Sequence, residues 1–426
     1  MSEEGAVIGV FPLSGKAIAA LALVVIAVGV GAGLGGMLLA LLLHLIQHLA
    51  YGYSQDNLIG SETFLLGATA AAPERRVLVL VCCGLVAGVG WWLLYRYGRP
   101  LVGIKKALAT EAPPMPVGAT LIHALLQIIT VALGSPLGRE VAPREVGAVL
   151  AGSLARRARL DPALQRLLIA CGAGAGLAAV YNVPLGGAVF VLEVLLGSFS
   201  WPAALIALST SAIGAWVAWI GLGAEAQYMI PHYLVSTPLI AWAILSGPVL
   251  GVAAIGFVRL TTAARARAAR GWRLPVLALI NFSLIGLLAI FLPQILGNGK
   301  GPAQLGFDDQ LGLGMAATLM LCKVLVTTTT LRAGAEGGLL TPGLAVGALL
   351  ATLLGGAWSH FLPGLPLGAC AIVGAAAFLG ASMSMPLTAI VLIMEFTRLD
   401  HDFLVPLILA VVGAFGVVKL WEWRGL

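Results

Sequence analysis

Seven stretches of this chain contain no Asp, Glu, Lys or Arg: residues 17–55, 112–138, 167–192, 194–224, 226–258, 274–299 and 337–394. Each exceeds the roughly 20 apolar residues that span a bilayer core. Charged residues make up 10% of the 426, against about 25% in a soluble domain. A secreted, cytosolic or fibrous protein is excluded, and the pattern predicts an all-α polytopic membrane protein.

The apolar stretches are heavily punctuated. Glycine supplies 55 residues and proline 22, with glycine at about 13% where about 7% is usual. In lipid such residues cost hydrogen bonds or packing, so they predict short, broken or re-entrant helices buried within protein. The stretch 337–394 holds 58 residues, too long for two simple spans and too interrupted for three.

Five cysteines (Cys82, Cys83, Cys171, Cys322, Cys370) lie in apolar segments without a CxxC pair and read as small core residues. Among six histidines the only suggestive spacing is His44 with His48, one helical turn apart. No metal site and no cofactor are expected.

The net charge of +6 is sorted along the chain. Arg96, Arg99, Lys105 and Lys106 form one basic cluster, Arg156, Arg157, Arg159 and Arg166 a second, and Arg265, Arg267, Arg270 and Arg273 a third. Residues 51–73 hold Asp56 and Glu62 without a cation, and 199–235 hold only Glu225. Positive charge stays on the cytoplasmic side, so the clusters and both termini are placed there. Arg75 and Arg76 then fall at the outer end, against the rule. The clusters lie between membrane segments without interleaved aromatics, which argues against nucleic acid. The first apolar stretch is too long for a signal-peptide core, so Lys16 marks the cytoplasmic entry to a long first span. Trp91, Trp92, Trp421 and Trp423 suit interfacial belts.

Two segments repeat each other. Pro143 precedes a Gly/Ala-rich helix, Asn182-Val183-Pro184-Leu185 and an apolar run to Glu193; Pro342 precedes another such helix, Ser384-Met385-Pro386-Leu387 and a run to Glu395. Each run places its glutamate nine residues after the proline. The expected division is a cytoplasmic N-terminus (1–16), a first membrane repeat (17–224) and a second (225–426), with no separate soluble domain. Duplicated halves with interrupted helices are a transporter signature, with the ion site at the helix breaks.

One such break, Gly134-Ser135-Pro136-Leu137-Gly138-Arg139-Glu140-Val141-Ala142-Pro143, carries an acid. A helix beginning at depth leaves about four backbone N–H groups and roughly half a positive charge facing a cavity, which is an anion site. Similar punctuation recurs at Gly98-Arg99-Pro100 and Gly337-Gly338-Leu339-Leu340-Thr341-Pro342-Gly343. The Glu140 carboxylate and a substrate anion compete for one place, and protonation weakens the carboxylate's hold. A dipole-neutralising Glu140 paired with Arg139 or Arg144 is the plainer reading, as is capping or pairing for Glu193 and Glu395.

These residues resemble the CLC family of chloride channels and chloride/proton antiporters. Gly138-Arg139-Glu140 looks like the family's GREGP motif, Gly337–Pro342 like GGxFxP, and Asn182–Leu185 like NxPL. The resemblance covers about residues 17–420. It implies two inverted halves with re-entrant helices, a homodimer with one anion pathway per subunit, and Glu140 as the gating, proton-transferring glutamate. It assigns the anion to Gly138, Arg139, Val141, Leu101, Leu340 and Thr341. Several departures stand out. GSGIP is replaced by Gly98–Val102, with either Arg99 or Leu101 at the serine position; GREGP has become Gly138-Arg139-Glu140-Val141-Ala142-Pro143; Val194 stands at the internal proton glutamate; and no tyrosine occurs in Phe403–Leu426. This set looks like the fluoride/proton antiporter branch. The expected function is fluoride export against protons across a bacterial inner membrane, with compact donors such as backbone amides or the Thr341 hydroxyl suiting fluoride. A chloride/proton antiporter or passive channel of the same fold is the alternative. An intramembrane serine hydrolase built on Ser135 and His123 lacks a GxSxG elbow, and no enzyme is expected.

Overall fold

The computed structural model describes residues 15–53, 63–110, 113–361 and 363–424. The first fourteen residues, the side chain of Lys16, and the loop acids Asp56 and Glu62 lie outside the described residues. In chain order the α-helices are α1 (Gly15–Tyr51), α2 (Phe64–Ala70), α3 (Pro73–Tyr97), α4 (Ile104–Ala107), α5 (Val117–Ala132), α6 (Val141–Arg157), α7 (Pro162–Tyr181), α8 (Pro184–Phe190), α9 (Trp201–Leu222), α10 (Thr237–Ala266), α11 (Arg273–Phe291), α12 (Lys300–Phe307), α13 (Leu313–Arg332), α14 (Leu340–Ser359), α15 (Leu367–Met383), α16 (Pro386–Thr397) and α17 (Leu404–Trp423). Among the described residues, nine helices are long and apolar enough to cross a membrane. The protein is an all-α, multi-pass membrane protein. The 58-residue uncharged stretch resolves into α14, α15 and α16, of which α16 has only 12 residues.

Two compact units are distinguished. The first comprises Met1–Ala40, Arg99–Ala124 and Val141–Glu225. Its core is made of α7, whose residues from Leu167 to Tyr181 are all buried, packed on α6, α8 and α9. Glycine permits this by removing side chains where backbones meet. A Cβ on Gly147 would overlap the Gly172 carbonyl and one on Gly172 the Gly147 carbonyl. Such small-residue seams replace the hydrophobic drive that lipid cannot supply.

The second unit comprises Leu41–Gly98, Leu125–Glu140 and Ala226–Leu426. The same device joins α10 to α17, where a Cβ on Gly247 would lie 2.6 Å from the Ala410 carbonyl. The misplaced arginines are accounted for here. Arg75 donates to the carbonyls of Ala50 (2.7 Å) and Leu49 (2.8 Å) at the end of α1, and Arg76 to Ala289 near the end of α11 (2.6 Å). Both guanidiniums are engaged by C-terminal helix carbonyls and their negative dipole ends. Trp91 is 0% exposed, so it packs the core and is not an interfacial anchor.

The repeated segments share backbone detail. Asn182 (φ 54°, ψ 51°) and Ser384 (φ 51°, ψ 47°) are both left-handed C-caps, and each precedes a residue of similar geometry and then a helix-opening proline. Gly134 (φ 104°) and Gly334 (φ 94°) end α5 and α13 alike. There Ser135 N–H bonds to Thr130 O (3.0 Å) and Ala335 N–H to Thr330 O (3.3 Å), closing each helix in a Schellman-type cap. The halves differ at Val191–Leu196, a π-helical turn ending at left-handed Gly197, thirteen residues after Pro184. The matching terminator Arg398 follows Pro386 by twelve, and a π-bulge absorbs one extra residue.

Candidate functional site

The left-handed glycine that ends α5 and the one that ends α13 each release a short irregular segment before the next helix. These two segments meet as an isolated antiparallel pair: Gly138 N–H donates to Gly338 O (2.7 Å) and Gly338 N–H to Gly138 O (2.9 Å). A Cβ on either glycine would overlap the carboxyl group of Glu140. The bare backbones therefore form the walls of a slot that holds one carboxylate.

Glu140 is 0% exposed, and its Oε1 accepts from the N–H of Leu340 at 2.8 Å. Leu340 is the first residue of α14, so this amide has no partner within its helix and lies at the positive end of the helix dipole. Burying a carboxylate costs several kcal/mol, and a charge-assisted bond to an orphan amide offsets part of that cost. Any compact anion reaching the amide must displace the Glu140 carboxylate.

The other residues expected at the site are placed as follows. Gly138 and Leu340 border the Glu140 carboxylate directly, and Thr341, 4% exposed, follows Leu340 in the first turn of α14. Arg139 is 9% exposed, and its guanidinium reaches Gln227 Oε1 at 3.5 Å. Val141 opens α6, with Pro143 in the first turn where a missing amide is tolerated. Leu101 is half-buried in the irregular segment between α3 and α4, and Arg99 is exposed there. Leu101 and Val141 belong to the first compact unit, Glu140 and α14 to the second.

The sequence reading missed Lys323 and the pairing of His123 with Glu145. Lys323, 0% exposed within α13, donates from Nζ to the carbonyls of Gly297 and Ile295. A Cβ on Gly299 would lie 3.2 Å from Lys323 Cε and 3.4 Å from the Thr341 carbonyl, so the lysine stem lies beside the first turn of α14. Its signal was a lone lysine inside an otherwise apolar span. The second feature is His123, whose Nδ1 lies 2.9 Å from Glu145 Oε2, with side chains 9% and 12% exposed. The second glutamate of the string Gly138–Glu145 was its signal. His123 is thus engaged with an acid, in the compact unit that does not contain Ser135. Among the described residues no group of three or more His, Cys, Asp or Glu could hold a metal ion.

Comparison with known proteins agrees with this architecture. The sequence model described as voltage gated chloride channel matches residues 83–419. The chain is 33% identical over 382 residues to a putative chloride channel protein ClcB-like from Ralstonia nicotianae, covering 84% of this chain and 86% of that protein. It is 31% identical to the voltage-gated ClC-type chloride channel ClcB of Citrobacter koseri, covering 82% and 85%. Its fold is similar to that of a slow cyanobacterial Cl-/H+ antiporter (TM-score 0.81, 20% identity, 94% and 95% covered). A CLC-type fluoride/proton antiporter is similar also (TM-score 0.77, 22% identity, 96% and 98% covered). Members of this family move anions across membranes and are not enzymes. The chain belongs to the voltage-gated chloride channel (CLC) family of anion channels and transporters.

Proposed function

We propose that this transporter exchanges a small halide for protons, with Glu140 as the group that both gates the anion path and carries the proton. The observation behind this reading is the fully buried Glu140 carboxylate on the first amide of α14. Ionised, it occupies the anion's place. Protonated, it loses its charge and its preference for the amide, and the anion takes the position. The walls Gly138 and Gly338, the donors of Leu340 and Thr341, and Arg139 make up the rest of the anion path.

Chloride is the proposed cargo, because the relatives at 30% identity or more carry chloride in their names. Fluoride is the second reading, favoured by the loss of GSGIP at Gly98–Val102, by the hydroxyl of Thr341 at the mouth of α14, and by the likeness to a fluoride/proton antiporter. We further propose a homodimer in a bacterial inner membrane, with two repeats (17–224 and 225–426) and cytoplasmic termini. Halide efflux from proteoliposomes with simultaneous pH recording tests the cargo and its coupling to protons. Chloride efflux coupled to proton uptake supports the first cargo, and fluoride efflux without chloride the second. Glu140→Gln should leave anion flux that no longer moves protons, and proton coupling intact in that variant would sink the reading.

A further inference from the structure

Away from the gate, the chain leaves α10 at Ala266, turns through left-handed Gly271 and enters α11 at Arg273. The turn is tied to the end of α13, where Ala269 N–H donates to Arg332 O at 2.9 Å. The result is an open cavity of about 450 Å³ lined by four arginines, Arg267, Arg270, Arg273 and Arg332, with Trp272 and Leu277 at its edge. Arg270 is shared with Glu336 at 3.7 Å, and no carboxylate pairs with the other three among the described residues. The cavity is therefore strongly cationic.

Its surroundings are apolar on one side only. Trp272 is 72% exposed, and from the cavity an uncovered stripe runs along α11 through Leu277, Ile280, Leu284, Leu287 and Phe291, each 42% exposed or more. The three- and four-residue spacing keeps these side chains on one helix face, over about 21 Å of helix. One leaflet of a bilayer core roughly 30 Å thick is about 15 Å deep, so an acyl chain crossing it would lie against the stripe along its whole length.

We infer that this cavity binds the phosphate headgroup of an anionic phospholipid whose acyl chain lies on the α11 stripe. Guanidiniums suit phosphate because they offer paired, always-charged donors. An arginine-lined pocket between helices at the membrane surface is the setting in which such headgroups are recognised. The inference does not depend on which halide is carried, because the site is read by binding and not by transport.

Native mass spectrometry of the intact protein, titrated with phosphatidylglycerol or phosphatidylcholine in neutral detergent, tests it. The wild type should retain phosphatidylglycerol preferentially, and Arg267→Gln/Arg273→Gln/Arg332→Gln should lose about fivefold in affinity per arginine with phosphatidylcholine unaffected. Arg156→Gln/Arg157→Gln, made in a different basic cluster, should keep the wild-type preference. Equal retention of both lipids by the wild type, or an unchanged preference in the triple variant, would overturn the site. Displacement of the lipid by millimolar inorganic phosphate would make it a site for the free anion. A change in copies per particle on Leu284→Glu, with lipid retention intact, would give the stripe to a second copy of the chain. Should the triple variant not fold, the wild-type preference and the single Arg273→Gln variant decide the matter.

Discussion

At the scale of single residues, the gate depends as much on what Gly138 and Gly338 lack as on what Glu140 has. A methyl group on Gly338 would overlap the Glu140 carboxyl, so Gly338→Ala should expel the side chain from its slot. The expected outcome is anion flux that persists at alkaline pH, where the wild type slows, measured as halide efflux across a pH series. Lys323 makes the opposite contribution, a cation on carbonyls beside α14. Lys323→Met should therefore weaken apparent anion affinity, read from the halide dependence of flux. The His123–Glu145 pair yields a stability prediction. Glu145→Leu alone should destabilise by about 3 kcal/mol because it removes one member of a buried polar pair, whereas His123→Leu/Glu145→Leu should recover most of that, as followed by thermal unfolding in detergent. Glu140 was legible in the sequence because an acid in an uncharged span has few structural excuses. The glycine walls were legible only as a motif, since their role comes from a pairing across two hundred residues.

At the scale of elements, the duplication is visible as repeated helix endings, and the two left-handed caps respond differently to the same change. Ser384 holds φ 51° and closes α15 through its backbone N–H, which donates to Gly380 O, so Ser384→Gly should stabilise by up to about 1 kcal/mol by relieving the left-handed penalty. Asn182 uses its amide at the same position to donate to Ala224 O (2.8 Å) and Glu225 O (3.2 Å) and to accept from Trp219 Nε1 (2.7 Å). Asn182→Gly should accordingly destabilise despite the easier backbone, and thermal unfolding of the two variants side by side gives opposite signs if the argument holds. Sequence spacing located both breaks because proline and glycine act locally. It did not foresee the π-helical turn at Val191–Leu196, because one extra residue changes no composition and is accommodated only once neighbouring helices fix the turn at each end.

At the scale of the whole molecule, the sorting of charge predicts a side for the loops. The rule that set basic clusters inside failed locally at Arg75 and Arg76, and for a physical reason: side chains bonded to helix carbonyls are not the free cations that resist translocation. The expectation from loop charge is that the clusters at Arg96–Lys106, Arg156–Arg166 and Arg265–Arg273 face the cytoplasm and the Glu225 loop faces outward. This orientation is testable in cells with single cysteines introduced at Arg157 and at Glu225, both exposed. The background replaces Cys82 and Cys322 with serine, because the other cysteines are buried. An impermeant maleimide added outside should label Glu225→Cys and leave Arg157→Cys untouched until the membrane is opened. Labelling in the reverse order would invert the molecule. The Arg267–Arg332 cavity would then open on the outer leaflet, while proton-driven exchange through Glu140, whose direction follows the proton and anion gradients, would still run the same way.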